Sequence, residues 1–165
     1  MDAKKLNVIL DNFEEKSPEL YYHCERVAMI SYAFAKEINL SYEDRELAYF
    51  SGILHDIGKF YSENILDDEI DDLVAKIING SMIYFDNDFA KLIPIISEGN
   101  LNKENKNIDI IRLIVQLANE YDELRNSGIT HENACKIIRS NDCQYNDMVT
   151  ILFKTIIKNQ LNYEY

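Results

Sequence analysis

Apolar residues recur every three to four positions along this chain, the spacing of one face of an α-helix. Over residues 3–15, one side of a predicted short helix carries Leu6, Ile9, Leu10 and Phe13. The next helix begins at Ser17-Pro18-Glu19, where a hydroxyl cap precedes a Pro at the first helical position and an acid in the first turn. It runs to about Ile38, with an apolar stripe of Leu20, Cys24, Val27, Ser31, Phe34 and Ile38.

His23 lies one position off that stripe, beside Leu20, Val27 and Ile30. We therefore expect its imidazole to face the interior. A core histidine bonded to a neighbour is the ordinary interpretation of such a position, and a metal ligand is the alternative.

The third helix and the later helices show the same helical spacing of apolar residues. Ser41 and Asp44 form a capping-box-like start for a helix with apolar positions at Leu47, Phe50, Ile53, Leu54 and Ile57. Further helices are predicted over 108–124, over 131–139 after a Thr130 cap, and from Asn146 or Asp147 through Ile157. We see no alternating strand pattern and no repeat. The pattern predicts an all-α protein, a helical bundle.

The middle of the chain is less regular. Residues 67–72 are acidic, but they lack the spaced ligands and central Gly of a calcium loop, which favours a solvated helix start. Residues 73–83 look helical, 89–96 are apolar around Pro94, and 99–107 are polar and predicted to be an exposed loop.

Composition narrows the class of protein. A length of 165 residues fits one domain, 1–165, and the low counts of Gly (5) and Pro (2) favour helices. The net charge of -12 argues against direct binding of nucleic acid through a basic face, and no apolar run is long enough to span a membrane. With no secretory h-region at the N-terminus, we expect a cytoplasmic protein. Cys24, Cys135 and Cys143 lack zinc-type spacing and are predicted to be buried or idle thiols.

The stretch Gly52-Ile53-Leu54-His55-Asp56-Ile57-Gly58-Lys59 carries the candidate chemistry. An adjacent imidazole and carboxylate can ligate one divalent ion, and the second oxygen of Asp56 can bridge to another. Gly58 ends the helix, and Lys59 beyond it can reach a phosphate. The small residues Ser51 and Gly52, one turn earlier, permit the close approach of another helix or an ion.

These residues, with others, resemble the HD superfamily of metal-dependent phosphohydrolases. His23 with Arg26-Val27 resembles the first helix motif of the family, and Leu54 to Lys59 reproduces its signature, followed by the similar segment Glu63 to Leu66. Leu117 to Leu124 resembles its Ala-Asp-x-Tyr-Asp-Ala-Leu helix, and Thr130 to Ala134 and Tyr145 to Val149 resemble the closing helices. The resemblance is strongest over 20–66 and 108–157, and it is closest to the HD-GYP branch, whose members hydrolyse cyclic di-GMP.

The resemblance implies a site and an activity. His23, His55 and Asp56 would hold one or two divalent ions (Fe, Mn, Mg, Ni or Zn), and the fourth ligand of the family falls on Asn119. Asp122, three residues on and on roughly the same helix face, is an alternative fourth ligand.

We assign Asp56 and Lys59 to catalysis, and Lys59 and Arg26 to substrate binding. The expected partner is a small phosphoester or nucleotide, cleaved by water that the ion activates.

Departures from the family support a second hypothesis. Asn119 keeps an oxygen ligand but lacks the charge of the family's Asp. The HD-GYP branch also has a further His, which would align with 76–80, and a His-His pair, which would align with 97–99; neither is present, and the Gly-Tyr-Pro element is also absent. The alternative is therefore a catalytically decayed, shortened domain that acts as a signalling or ligand-binding module. His131, in the first turn of a predicted helix, is expected at the surface.

Overall fold

The computed structural model describes residues 3–56, 106–141 and 146–161, which fold into six α-helices. These are α1 (Ala3–Lys16), α2 (Pro18–Glu37), α3 (Tyr42–Leu54), α4 (Lys106–Asn126), α5 (His131–Asn141) and α6 (Asn146–Lys158). The all-α fold predicted from the sequence is confirmed. None of the helices in these ranges combines the length and the apolar character needed to cross a lipid bilayer.

Two of the predicted helix starts, those at Ser17 and Ser41, behave differently. Ser41 caps α3 as expected, since its hydroxyl accepts a hydrogen bond from the backbone N–H of Asp44 at 3.1 Å. The side chain of Ser17 makes no cap hydrogen bond, although Pro18 occupies the start of α2. Backbone bonds join the two helices there instead: Ser17 donates to Phe13 and accepts from Tyr21, each at 2.9 Å. The hydroxyl cap predicted at Ser17 is therefore wrong.

The long helix α2 lies at the centre of the described structure. It packs most extensively against α3, then against α4 and α6. The larger of two buried apolar clusters joins α2 to α4, α5 and α6 through residues such as Val27, Phe34, Ile114 and Leu152. The smaller cluster joins α1, α2 and α3 and consists of Phe13, Cys24, Ala28, Ile53 and Leu54.

The contact between α2 and α3 is unusually close at one point. A Cβ atom at Gly52 would lie only 2.5 Å from the Cα of Ala28, so no larger residue fits there without a backbone shift. The expectation that Gly52 permits close helix approach is confirmed. The helix ends two residues later at Leu54, and His55 and Asp56 follow in a turn. The helix therefore ends before the predicted stop at Gly58, a residue that itself lies outside the described ranges.

Candidate metal centre

Three helices bring polar side chains to one corner of the bundle. The first half of α2 supplies His23 and Arg26, which share a face because they are three residues apart. The turn after α3 supplies His55 and Asp56. Asn119 and Asp122, also three residues apart, come from α4. The fold thus places all described candidate residues at one corner, while Lys59 and its assigned roles lie outside the described ranges.

The ring of His55 is oriented by the backbone of its own helix. Its Nδ1 lies 2.7 Å from the carbonyl oxygen of Gly52, and because a carbonyl can only accept, Nδ1 carries the hydrogen. Burial lowers the pKa of His55, and the negative charge of Asp56 opposes this only in part. In the neutral ring, Nε2 therefore carries a lone pair. This atom lies 3.2 Å from Asn119 Oδ1 and 3.5 Å from Asp56 Oδ2.

The ring of His23 is oriented by a carboxylate. Its Nδ1 lies 2.7 Å from Asp122 Oδ2, which accepts the hydrogen, and its Nε2 lies 3.8 Å from Asp56 Oδ2. The centroids of the His23 and His55 rings are 5.2 Å apart. Both imidazoles therefore turn an Nε2 atom towards the same carboxylate oxygen.

The amide of Asn119 also turns its oxygen inward. Its Nδ2 donates to Glu123 Oε1 at 3.2 Å, which leaves Oδ1 facing His55. An amide oxygen and an unprotonated imidazole nitrogen cannot hydrogen-bond to one another, because neither holds a hydrogen. The contact between Asn119 and His55 is therefore a meeting of two acceptors.

His23, His55 and Asp56 form a group that could hold a metal ion, since one ligand atom from each lies within 4.8 Å of the others. The chemistry of the atoms fits a cation, because neutral imidazole nitrogens and a carboxylate oxygen are all ligands for a divalent metal ion. Each of the three side chains keeps 11–13% of its surface exposed, so the group is largely but not completely buried.

Asp122 lies behind His23 and outside this group. Its side chain is fully buried, and it accepts from Arg26 Nε at 2.8 Å and Arg26 Nη2 at 3.0 Å in addition to His23 Nδ1. Such a two-pronged guanidinium–carboxylate pair is strong and directional. The structure thus places Asp122 on the side of the imidazole away from Asp56, and it directs two donors of Arg26 at Asp122. These contacts differ in kind from the roles that the sequence predicts, which are an alternative metal ligand for Asp122 and a substrate contact for Arg26.

Sequence reasoning placed His131 wrongly. His131 is only partly exposed, and its Nδ1 lies 2.9 Å from the hydroxyl of Tyr121, which is 1% exposed. Its ring also meets Phe153 edge to face, with centroids 5.8 Å apart. The sequence did contain an indication that His131 faces inward: the apolar residue Ala134 follows three positions later, on the same helix face. In the structure Ala134 is fully buried.

Comparison with known proteins gives one clear result. The family model described as HD domain matches residues 20–148, which is most of the chain and includes every described residue of the candidate site. Searches of curated proteins and of solved structures find no match. By the extent of the family match, together with the all-α fold and the His/His-Asp group, the chain belongs to the HD-domain family.

Proposed function

We propose that the protein is a metal-dependent phosphohydrolase acting on a small phosphoester or nucleotide, with the whole chain forming one HD-type domain. The observation that supports this most is the convergence of the Nε2 atoms of His23 and His55 on Asp56 Oδ2. Both Nδ1 atoms are held by acceptors, so in the neutral form of each ring the Nε2 atom presents a lone pair towards Asp56.

In this proposal His23, His55, Asp56 and Asn119 hold the ion. Two imidazole nitrogens favour a first-row transition ion such as Fe, Mn, Ni or Zn over Mg. A divalent ion there supplies a lowered pKa for water and a positive charge for phosphoryl oxygens. The protein's own contribution is to present four acceptor atoms on fixed elements, which removes the cost of assembling them during binding.

We propose that Arg26 and Asp122 are positioning residues for His23. The guanidinium of Arg26 holds the carboxylate of Asp122, and that carboxylate fixes the hydrogen of the imidazole on Nδ1. An outer carboxylate of this kind makes the coordinating nitrogen a better donor to a metal. For Lys59, the sequence alone supports a phosphate contact. The closer likeness to the HD-GYP branch likewise rests on the sequence motifs.

A second candidate is a signalling or ligand-binding module with a decayed catalytic site. The observation in its favour is Asn119, whose neutral amide stands beside His55 where the family supplies an acid. The proposed ligand set then carries only the charge of Asp56, and a set with fewer charges binds a divalent ion more weakly.

Metal analysis tests the proposal directly. Purified protein is assayed for bound transition ions and for hydrolysis of p-nitrophenyl phosphate and bis-p-nitrophenyl phosphate with Mn²⁺, Fe²⁺, Ni²⁺, Zn²⁺ or Mg²⁺. We expect the wild type to bind metal and hydrolyse a substrate, and the double variant His55→Ala, Asp56→Ala to lose both. His131→Gln is the matched control, because it removes the one histidine outside the site.

Three outcomes are distinguishable. Loss of metal and activity in the double variant alone supports the phosphohydrolase. Metal binding without hydrolysis of either substrate favours the module. A protein that binds none of the five ions contradicts both the metal centre and the proposed activity.

A further inference from the structure

A recess in the surface lies away from the candidate metal centre. A cavity of about 530 Å³, which we call the tyrosine cavity, is formed by α2, α3 and the segment after α6. Its wall on α2 includes Met29 and Tyr32, and Tyr32 lies about 180° around the helix from His23, since nine residues advance an ideal helix by about two and a half turns. The cavity therefore opens on the opposite side of α2 from the metal centre, and it is not part of that site.

The wall on α3 combines aromatic rings with one carboxylate. Tyr42, Glu46, Tyr49 and Phe50 share a helix face by their spacing of three and four residues. The rings of Tyr49 and Phe50 stand nearly perpendicular, at 83°, with centroids 5.5 Å apart. The hydroxyl of Tyr42 donates to Glu46 Oε1 at 2.9 Å, which keeps the carboxylate beside the rings.

The charges of the tyrosine cavity favour one class of ligand. Among the nine described residues that line it, Glu46 alone has a charged side chain. Lys158, adjacent in sequence to the lining residue Asn159, is paired with Glu37 at 2.6 Å. The faces of aromatic rings are electron-rich and attract cations, most strongly where a carboxylate adds its charge. The volume falls within the range of small-molecule sites.

Large apolar side chains are exposed at the tyrosine cavity, which indicates that its ligand also has an apolar part. Met29 is 45% exposed and Tyr42 is 61% exposed, and both line the tyrosine cavity. A bound molecule with an apolar body would cover this surface, whereas a bare inorganic cation would not. The aromatic rings and the carboxylate together therefore favour a ligand that has an apolar body and a positively charged end.

From this geometry we propose that the tyrosine cavity binds an organic ammonium ion with an aromatic or alkyl body. The ammonium lies against Glu46 and the aromatic faces, and the apolar body lies along Met29 and Tyr32. This proposal is independent of the phosphohydrolase activity, because none of the candidate metal ligands lines the cavity.

Three probes of equal length separate charge from apolar burial. 4-Phenylbutylamine, 4-phenylbutan-1-ol and 4-phenylbutyrate carry charges of about +1, 0 and -1 at pH 7. Binding to the full chain is measured by calorimetry, and methionine-methyl NMR, with Met29→Leu for assignment, reports whether Met29 is contacted. We expect the amine to bind about tenfold more tightly than the alcohol, the sum of a carboxylate contact and a cation–π contact. The carboxylate probe is expected not to bind.

Matched variants of one helix locate the charge that matters. Glu46→Gln should weaken amine binding about fivefold or more and bring it close to that of the alcohol. Glu43→Gln removes the same charge from an exposed, non-lining position of α3 and should change binding less than about twofold. Tyr42→Leu, at a largely exposed position, should also weaken the amine and provides a variant that leaves the core intact.

The proposal fails under any of three results. The amine and alcohol bind equally, no probe perturbs the Met29 methyl, or Glu43→Gln weakens the amine as much as Glu46→Gln does. The last result would show attraction by the overall net charge of -12 rather than a built site. Circular dichroism of each variant checks that the fold is kept.

Discussion

Two corners of the bundle each contain partly buried histidine, but they use it differently. At the first corner, His23 and His55 each give Nδ1 to an acceptor and turn Nε2 towards Asp56. At the second corner, Nδ1 of His131 meets the hydroxyl of Tyr121, and its Nε2 lies 3.6 Å from the sulfur of Cys135. A histidine becomes a candidate ligand only when its second nitrogen faces other acceptors.

The polar contacts of His131 at the second corner join neutral side chains. Burial raises the pKa of Tyr121 to about 12 and that of the Cys135 thiol to about 11, so both keep their hydrogens at neutral pH. The Tyr121 hydroxyl can then donate to His131 Nδ1, and the ring of His131 packs against Phe153. Each polar contact of His131 thus pairs a donor with an acceptor, unlike the contact between His55 and Asn119 at the first corner.

Removal of Asp122 should have the largest effect on the first corner. Asp122→Ala leaves Arg26 and His23 without their buried partner, and breaking such a pair costs about 3 kcal/mol of unfolding free energy. Metal affinity should also fall about tenfold or more, because His23 loses the acceptor that orients it. Urea denaturation and metal titration of the folded variant measure the two effects.

The control for this variant lies on the same helix. Gln116→Ala changes an exposed position of α4 and should alter stability by less than about 0.5 kcal/mol. If folded Asp122→Ala bound metal as tightly as the wild type, the proposal that Asp122 positions His23 would be wrong, while the proposed metal centre would still be supported.

A charge added at Asn119 should act in opposite directions with and without metal. Asn119→Asp brings a second carboxylate to the acceptor group, so we expect metal affinity to rise about tenfold and the melting temperature without metal to fall. Gln116→Glu adds the same charge at an exposed site and should do neither. Calorimetric titration and thermal melts with and without Mn²⁺ measure this; an unchanged affinity would mean that position 119 does not contact the ion.

The smallest effect is expected at the second corner. Burial, followed by the nearby charge of Arg125, lowers the pKa of His131, so the unfolded chain takes up the proton first. This histidine therefore costs no stability above its unfolded pKa of about 6.5 and progressively destabilises the fold as the pH drops below it.

His131→Gln should remove that acid sensitivity while keeping a partner for Tyr121. Between pH 7.5 and 5.5 the melting temperature of the variant should fall about 1–2 °C less than that of the wild type. Parallel pH-dependent decreases in the two proteins would show that His131 does not carry a lowered pKa.

The helices were predictable because their signals are local. The apolar stripe of α2, the Pro18 start and the Ser41 cap involve residues within a few positions of each other, and the helix bounds agree with the structure to within about three residues. His55 and Asp56 were found because they are adjacent, and the inward face of His23 was found from its own helix.

The parts that sequence missed depend on contacts between distant residues. Asp122 meets His23 across 99 positions and Arg26 across 96, so no local pattern states that this carboxylate holds a ring from behind. The inward turn of the Asn119 amide is an exception, because its hydrogen bond to Glu123 joins residues four positions apart; the sequence does not fix which amide atom faces His55. The packing of His131 against Phe153 likewise joins two helices.

The tight crossing at Gly52 links the geometry of the candidate metal centre to the substitutions that this position can tolerate. The residue that has no room for a side chain beside Ala28 also supplies the carbonyl that orients His55. His23 lies on the same helix as Ala28. A bulkier residue at Gly52 or at Ala28 would therefore push the two helices apart and would also separate the imidazoles of His23 and His55. Substitutions at this helix crossing must therefore preserve both the packing of α2 against α3 and the distance between the two imidazole rings.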